Sequence, residues 1–216
     1  MLNLISLRNK FMNQLIVVPR IVNTVGDWYQ FPLGIAYISS SWRKTGFNLF
    51  TANLNNLEGD AYSILKGLIE DHDIRIVLTG GLTGQYGAIK AILSNAKKIN
   101  KDMITVVGGG IITSAPEHAM QALEFADYGI IGEGEIITSE LCTALENGAD
   151  IRTVAGVVYK SATGYVRTSI QVAPVHLDQL PFPDYKSFGL EQLLKSVPNV
   201  IGMCEYNTLP IITSRS

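Results

Sequence analysis

The sequence predicts an α/β fold: a doubly wound parallel sheet of five strands in the order 2-1-3-4-5, Rossmann-like or flavodoxin-like, with a C-terminal β-hairpin and an extended tail. Three observations lead there. Short β-rich apolar runs ending in glycine or proline alternate with segments of helical period, the pattern of βαβ units. Most of these runs are nearly continuous Val, Ile and Leu, as strands covered on both faces should be. After Asp150 the period changes to two, which marks a hairpin rather than a further crossover.

The first strand is Leu15–Val18, ending at Pro19-Arg20. Pro32 pre-sets the first turn of a helix whose stripe is Phe31, Ile35, Ile38 and Trp42, and Gly46 follows its end. The second strand, Phe47–Ala52, has the least regular apolar run. Ala61, Ile64, Leu65 and Leu68, with His72, form the next helical stripe and lead to the strand Ile74–Thr79. Ile89, Ile92, Leu93 and Ala96 line a third helix, which leads to the strand Ile104–Val107. Ser114 with Glu117 three positions on reads as a capping box for a short helix from about Pro116 to Phe125. The fifth strand, Tyr128–Ile131, feeds a helix from Glu135 to Asn147 with Ile137, Leu141, Ala144 and Leu145 on one face, closed by Gly148. Val154–Lys160 and Tyr165–Thr168 then flank the turn Ser161-Ala162-Thr163-Gly164. From Val172 onward Pro174, Pro181, Pro183, Pro198 and Pro210 break any long element, so a tail is expected to run over the surface. The expected organisation is a Rossmann-like domain over 12–150, a hairpin appendage over 151–170 and a linker over 171–216.

Composition removes several function classes. With 47% apolar and 17% charged residues the chain has the means to bury a core. Lys plus Arg number 17 against 19 Asp plus Glu, a net charge of −2, which gives no basis for gripping nucleic acid or an anionic membrane. Cys142 and Cys204 stand far apart, so neither a disulfide framework nor a cysteine-held cluster is expected. The N-terminus puts Met1, Leu2, Leu4 and Ile5 ahead of Arg8 and Lys10, the reverse of a secretory signal, and the expected location is the cytoplasm.

Ligands of open parallel sheets bind outside the carboxyl ends of the strands. Three of those ends are glycine-rich: Thr79-Gly80-Gly81-Leu82-Thr83-Gly84, then Gly108-Gly109-Gly110-Ile111-Ile112-Thr113-Ser114, then Gly132-Glu133-Gly134-Glu135. Glycine lets bare backbone approach a large flat ligand, or it simply turns the chain, and at Gly109 and Gly134 both readings are open. Thr79, Thr83, Thr113 and Ser114 add hydroxyls for amides or a phosphate. Phosphate-loop patterns fail: Gly108-x-Gly110-x-x-Thr113 is degenerate, and no GxxxxGK occurs. A phospho-receiver would need an aspartate where Thr79-Gly80 stand. Catalytic groups are scarce. His72, His118 and His176 read as helix caps or solvent residues, and Trp28, Tyr29 and Trp42 as core or lid aromatics; Glu133 and Glu135 suit a helix start. No catalytic residue and no metal ligand is assigned.

Several strings, in order, carry a family resemblance: Phe31-Pro32-Leu33-Gly34-Ile35-Ala36-Tyr37-Ile38, Trp42-Arg43-Lys44-Thr45-Gly46, Gly108-Gly109, Pro116-Glu117, Asp127 to Glu135, Val154-Ala155-Gly156-Val157-Val158-Tyr159, and Leu177-Asp178-Gln179-Leu180-Pro181-Phe182-Pro183. Together they resemble the N-terminal cobalamin-binding domain of radical S-adenosylmethionine proteins from about residue 12 to 216. The resemblance implies a corrinoid ligand held by Leu33, Gly34, Thr79, Gly80, Thr83, Gly84, Gly108, Gly109, Gly110, Thr113, Pro116, Gly132, Glu133, Gly134 and Glu135. The DxHxxG loop of broader cobalamin-binding families is absent, since the first strand ends Val18-Pro19-Arg20, so no histidine from that loop is expected beneath cobalt. Leu209 to Ser216 is similar to the strand that leads into the family's CxxxCxxC motif. The expectation is therefore a corrinoid carrier truncated before a radical barrel, with the iron–sulphur cluster and S-adenosylmethionine confined to that missing partner and with methyl transfer as the chemistry of the whole. An interaction domain of the same fold that binds no corrinoid is the alternative, and a flavin-binding sheet protein a third.

Overall fold

The computed structural model describes residues 12–170, 177–195 and 210–212. Its strands are β1 (Asn13–Val18), β2 (Leu49–Asn53), β3 (Ile74–Gly80), β4 (Ile104–Gly108), β5 (Tyr128–Ile130), β6 (Val157–Ser161) and β7 (Gly164–Arg167). Its helices are α1 (Leu33–Arg43), α2 (Ala61–Asp71), α3 (Tyr86–Ile99), α4 (Gly110–Thr113), α5 (Pro116–Ala122), α6 (Gly134–Asn147) and α7 (Leu190–Lys195). The sheet order is β2-β1-β3-β4-β5-β6-β7, so the first five strands stand in the predicted 2-1-3-4-5 arrangement and all pair in parallel. The hairpin extends this same sheet. β6 runs antiparallel to β5, matching Tyr128 with Tyr159, Gly129 with Val158 and Ile130 with Val157. A three-residue β5 would otherwise leave its outer backbone groups unpaired, and the hairpin supplies the partners.

Alternation along the strands sorts the core into two faces. Ile16, Leu78, Val106 and Ile130 point toward α1 and α6, whereas Leu15, Val17 and Val77 point toward α2 and α3. Trp42, fully buried, closes the far end of the α1 face and meets Phe47 edge-on at 6.0 Å.

Several local expectations shift. The capping box at Ser114 does not form: the chain enters α4 already at Gly110, so Ser114 falls at that helix's end and its hydroxyl donates to the Gly110 carbonyl at 2.7 Å. Glu117 instead pairs with Arg167 of β7. α5 stops at Ala122, short of Phe125. β2 begins at Leu49 because Phe47 is used against Trp42, and β6 begins at Val157 because Gly156, at φ +76°, turns the chain into it. The stretch 177–195 is no loose tail. Phe188 is fully buried, and Asp184 clamps α1, accepting from Ser39 Oγ at 2.8 Å and Arg43 Nε at 2.9 Å. The expectations for His176, Cys204, Pro174, Pro198, Leu209 and 213–216 lie outside the described residues.

Candidate cofactor-binding site

β1, β3 and β4 end level with one another, Val17 opposite Thr79, Thr79 opposite Val107 and Gly80 opposite Gly108. Above these ends lies an open cavity of about 1120 Å³. It has two parts. The mouth is framed by the loops after β3, β4 and β5 and by the first turn of α1. The inner part runs between the sheet, where it touches Ile16, Leu78, Val106 and Ile130, and the helices α1 and α6, where it touches Ile38, Trp42 and Thr138.

One wall is built by a buried amide network. After β2 the run Asn53-Leu54-Asn55-Asn56 forms a short turn. Asn55 Oδ1 accepts from Ile21 N at 2.7 Å, and its Nδ2 donates to the Pro19 carbonyl at 3.0 Å. Asn53 Nδ2 donates to Tyr29 Oη at 2.7 Å, and that hydroxyl donates to Asn56 Oδ1 at 2.9 Å. Burial raises the Tyr29 phenol above its ordinary pKa despite these bonds, so it remains a donor at neutral pH. The network fixes the 19–31 loop as a wall.

Of the residues singled out from sequence, Leu33, Gly34, Thr79, Gly80, Gly84, Gly108, Gly109, Gly110, Gly132, Glu133, Gly134 and Glu135 line the cavity. Thr83, Thr113 and Pro116 do not. Thr83 is exposed in a turn, Pro116 is buried at the start of α5, and Thr113 Oγ1 accepts from Gly132 N at 3.0 Å, which ties two loops together. His72 lies elsewhere, capping α2 and stacking on Phe50 at 4.2 Å; His118 is exposed on α5. Thr138, Asn55 and Ile212 also line the cavity and were not singled out from sequence, and so do Leu82, quoted only as part of its loop, and Trp42, read as a core or lid aromatic.

One of the two open glycine questions has an answer. Gly109 sits at φ +88°, and a Cβ there would meet the Gly81 backbone oxygen at 2.7 Å, so the fold itself requires glycine; at Gly134, which has no positive φ, a Cβ would meet Ile38 Cδ1 at 2.7 Å, the movable end of one side chain. Gly34 and Gly84 differ: both line the cavity, neither has positive φ, and nothing lies within 4 Å of an added Cβ. Their bare backbone faces open space.

The polar content of the cavity is unusual in one respect. Thr79 Oγ1, Thr138 Oγ1 and Trp42 Nε1 are buried with no hydrogen-bond partner among the described residues, and all three residues line it. Each such atom costs about 1–3 kcal/mol while unmatched. Among the described residues no group of three or more His, Cys, Asp or Glu could hold a metal ion, and no helix is long and apolar enough to cross a membrane.

Residues 19–142 match the B12 binding domain family. A curated relative, the uncharacterized methyltransferase PH0819 of Pyrococcus horikoshii, is 31% identical over 192 residues, covering 85% of this chain and 40% of that protein. The anaerobic magnesium-protoporphyrin IX monomethyl ester cyclase of Rubrivivax gelatinosus is 27% identical over 195 residues, covering 84% of this chain and 34% of that protein. The chain thus spans well under half the length of either. Among solved structures, the cobalamin-dependent S-adenosylmethionine radical enzyme OxsB, with aqua-cobalamin and S-adenosylmethionine bound, superposes with a TM-score of 0.70 at 19% identity over 86% of this chain and 25% of its own. The radical S-adenosylmethionine methyltransferase TsrM of Kitasatospora setae, with cobalamin and a [4Fe-4S] cluster bound, gives 0.65 at 20% identity over 84% and 33%. At those identities the likeness is one of fold.

Proposed function

The chain belongs to the B12-binding domain family, and from that premise we propose that its cavity holds cobalamin as the corrinoid-carrying part of a longer radical S-adenosylmethionine enzyme of methyl-transfer type. The observation that carries this reading is a cavity of about 1120 Å³ at the strand ends together with its unmatched polar atoms. A corrin is a flat macrocycle rimmed with amides, and it suits a broad mouth where Gly34 and Gly84 leave backbone bare. The Thr79 hydroxyl offers an amide or phosphate a partner at that level. The apolar lining between the sheet and the helices, Ile16, Leu78, Val106 and Ile38, suits the other end of the cofactor, the benzimidazole of its nucleotide tail, which is flat and largely apolar.

Bound in this way, the corrinoid supplies a cobalt centre able to carry a methyl group. No histidine among the described residues lines the cavity. The iron–sulphur cluster and S-adenosylmethionine belong, on this reading, to a radical domain beyond these residues. A reducing cytoplasm is the location proposed, from two cysteines placed too far apart for a disulfide framework.

Incubation with hydroxocobalamin followed by desalting tests the proposal. A coloured protein with close to one corrinoid per chain supports it, and a colourless one overturns it. Anaerobic reconstitution with iron and sulphide is expected to leave these 216 residues without a cluster. If cob(II)alamin binds, its electron paramagnetic resonance spectrum is expected to be free of nitrogen splitting that depends on His72, His118 or His176.

A further inference from the structure

Among the described residues the only charged ones that line the cavity are Glu133 and Glu135; no lysine, arginine or histidine does. Glu133 is exposed, but Glu135 is buried, 4% exposed, while Ile136 beside it is 37% exposed. A helix that only covered a core would turn the isoleucine inward and the glutamate outward. An exposed glutamate serves the start of a helix equally well, and burying a carboxylate is costly unless donors meet it. Glu135 has contacts within the protein, yet a carboxylate accepts at about four lone-pair positions. Three residues on, along the same face of α6, stands a donor. Thr138 is 2% exposed and lines the cavity, its Oγ1 lies 3.5 Å from where a Gly134 Cβ would stand, and that hydroxyl finds no partner among the described residues. A helical threonine usually turns its hydroxyl onto the carbonyl four residues back, as Thr143 does in donating to Ser139 O at 2.8 Å. Thr138 does not.

We propose that Glu135 and Thr138 together read a propionamide arm of the corrin, Thr138 donating to its carbonyl oxygen and Glu135 accepting from its NH2 group, so that the cavity takes the amidated corrinoid and refuses its carboxylic acid counterpart. This rests on the corrinoid assignment above and narrows it to a class of corrinoid. An acceptor and a donor one helical turn apart complement a primary amide, which offers one of each on neighbouring atoms. Of the primary amide arms on a corrin the propionamide is longer than the acetamide, and the longer arm suits a buried pair. The acid in the same place keeps the size and shape of the group but has no N–H to give Glu135. Its charge then stands against Glu135 in a lining that supplies no cation, and like charges set side by side in a desolvated site are strongly unfavourable. A site built to hydrogen-bond one group also discriminates against the analogue that lacks the partner.

The whole chain, as parent and as Glu135→Gln, is titrated at pH 7 with hydroxocobalamin and with its b-, d- and e-monocarboxylic acids, in each of which a different propionamide is hydrolysed. The parent is expected to bind one of these isomers at least tenfold more weakly than hydroxocobalamin and more weakly than the other isomers. Glu135→Gln should melt within a few degrees of the parent and bring the refused isomer to within about threefold of hydroxocobalamin, because the glutamine NH2 donates to the acid that the glutamate repels. A parent that binds every isomer as tightly as hydroxocobalamin overturns the proposal, whether or not Glu135→Gln folds. So does an equal loss for all the isomers, which would mean a general effect of charge. A discrimination unchanged in Glu135→Gln overturns it as well, since the loss would then be the cost of burying an acid. If the parent binds no hydroxocobalamin, the corrinoid assignment itself falls, whereas tight but indiscriminate binding defeats only the carboxamide reading.

Discussion

At the amino ends of β4 and β5 the carboxylate of Asp127 accepts from Lys97 Nζ at 2.6 Å, from Thr105 N at 2.8 Å and from Thr105 Oγ1 at 2.9 Å, while Lys97 also donates to Met103 O at 2.6 Å. A hollow of about 380 Å³ lies beside this cluster, partly lined by Tyr128 and Tyr159. At the opposite ends of the strands the larger cavity buries three polar atoms that nothing in the described chain satisfies. Volume alone would flag both hollows. Hydrogen bonding separates them: the carboxylate and ammonium beside one are matched as the protein folds, whereas three buried polar atoms lining the other have no partner among the described residues. The same contrast divides the glycines, since Gly109 is required by the chain and Gly34 is not.

The largest expected effect is at Gly109. An alanine there must hold φ near +88° and place its Cβ against the Gly81 backbone. Positive φ costs a non-glycine residue about 1–3 kcal/mol. Overpacking against backbone adds about 1–3 more. Gly109→Ala should therefore lose about 2–6 kcal/mol in urea unfolding, and a parental midpoint would erase the distinction between the two kinds of glycine. Next comes Asp127→Ala, which removes the acceptor of the Thr105 amide and one of the two acceptors of Lys97. It should cost about 1–3 kcal/mol. The variant should nevertheless bind hydroxocobalamin as the parent does; weakened binding would mean that the two ends of the sheet are coupled. Gly34→Leu reverses the pattern. A side chain in α1 with open space around it should leave stability unchanged or raise it by about 0.5–1 kcal/mol. Binding should fall at least tenfold, as seen by desalting and titration, and a stable variant that binds normally would show that the mouth is not occupied there.

The sheet was legible because its strands are short, Val- and Ile-rich and cut by glycine, and because parallel strands buried on both faces admit few other patterns. The loops were legible for the same reason, through Gly80, Gly108 and Gly132. What the loops meant was less so. Gly109 and Gly132 share a positive φ that no composition reveals, and Thr113 looked like a ligand hydroxyl while it in fact braces Gly132. The inner part of the cavity could not be read at all. Trp42 and Thr138 lie far apart in sequence, each resembles an ordinary buried position of its helix, and only the packing of α1 against α6 brings them to one space. The Asn53-Leu54-Asn55-Asn56 run was a usable signal, since three amides directly after a strand must find partners, and they build the wall.

The smallest expected effect concerns a third polar cluster, complete like that of Asp127 but placed on α1 itself. Asp184 is pushed up by burial, yet hydrogen bonds from Ser39, Ser187 and Arg43 outweigh this and hold its carboxyl below the usual range. Its partners come from α1 and from its own turn, so the clamp ties the C-terminal segment to the helix whose other face lines the cavity. A carboxylate whose folded pKa is depressed contributes stability that is fully present above its unfolded value, about 3.9, and is lost as the pH falls through the lower folded value. The Arg43 side chain is 43% exposed, and such a partner is screened by solvent, so the contribution should not exceed about 1 kcal/mol. Asp184→Asn should thus be slightly less stable than the parent at pH 7, and the gap should close toward pH 3 as the parent loses its charge. Urea midpoints for both proteins across that range measure it. A gap that stays constant with pH would show that Asp184 holds the segment by hydrogen-bond geometry alone, with its charge contributing nothing.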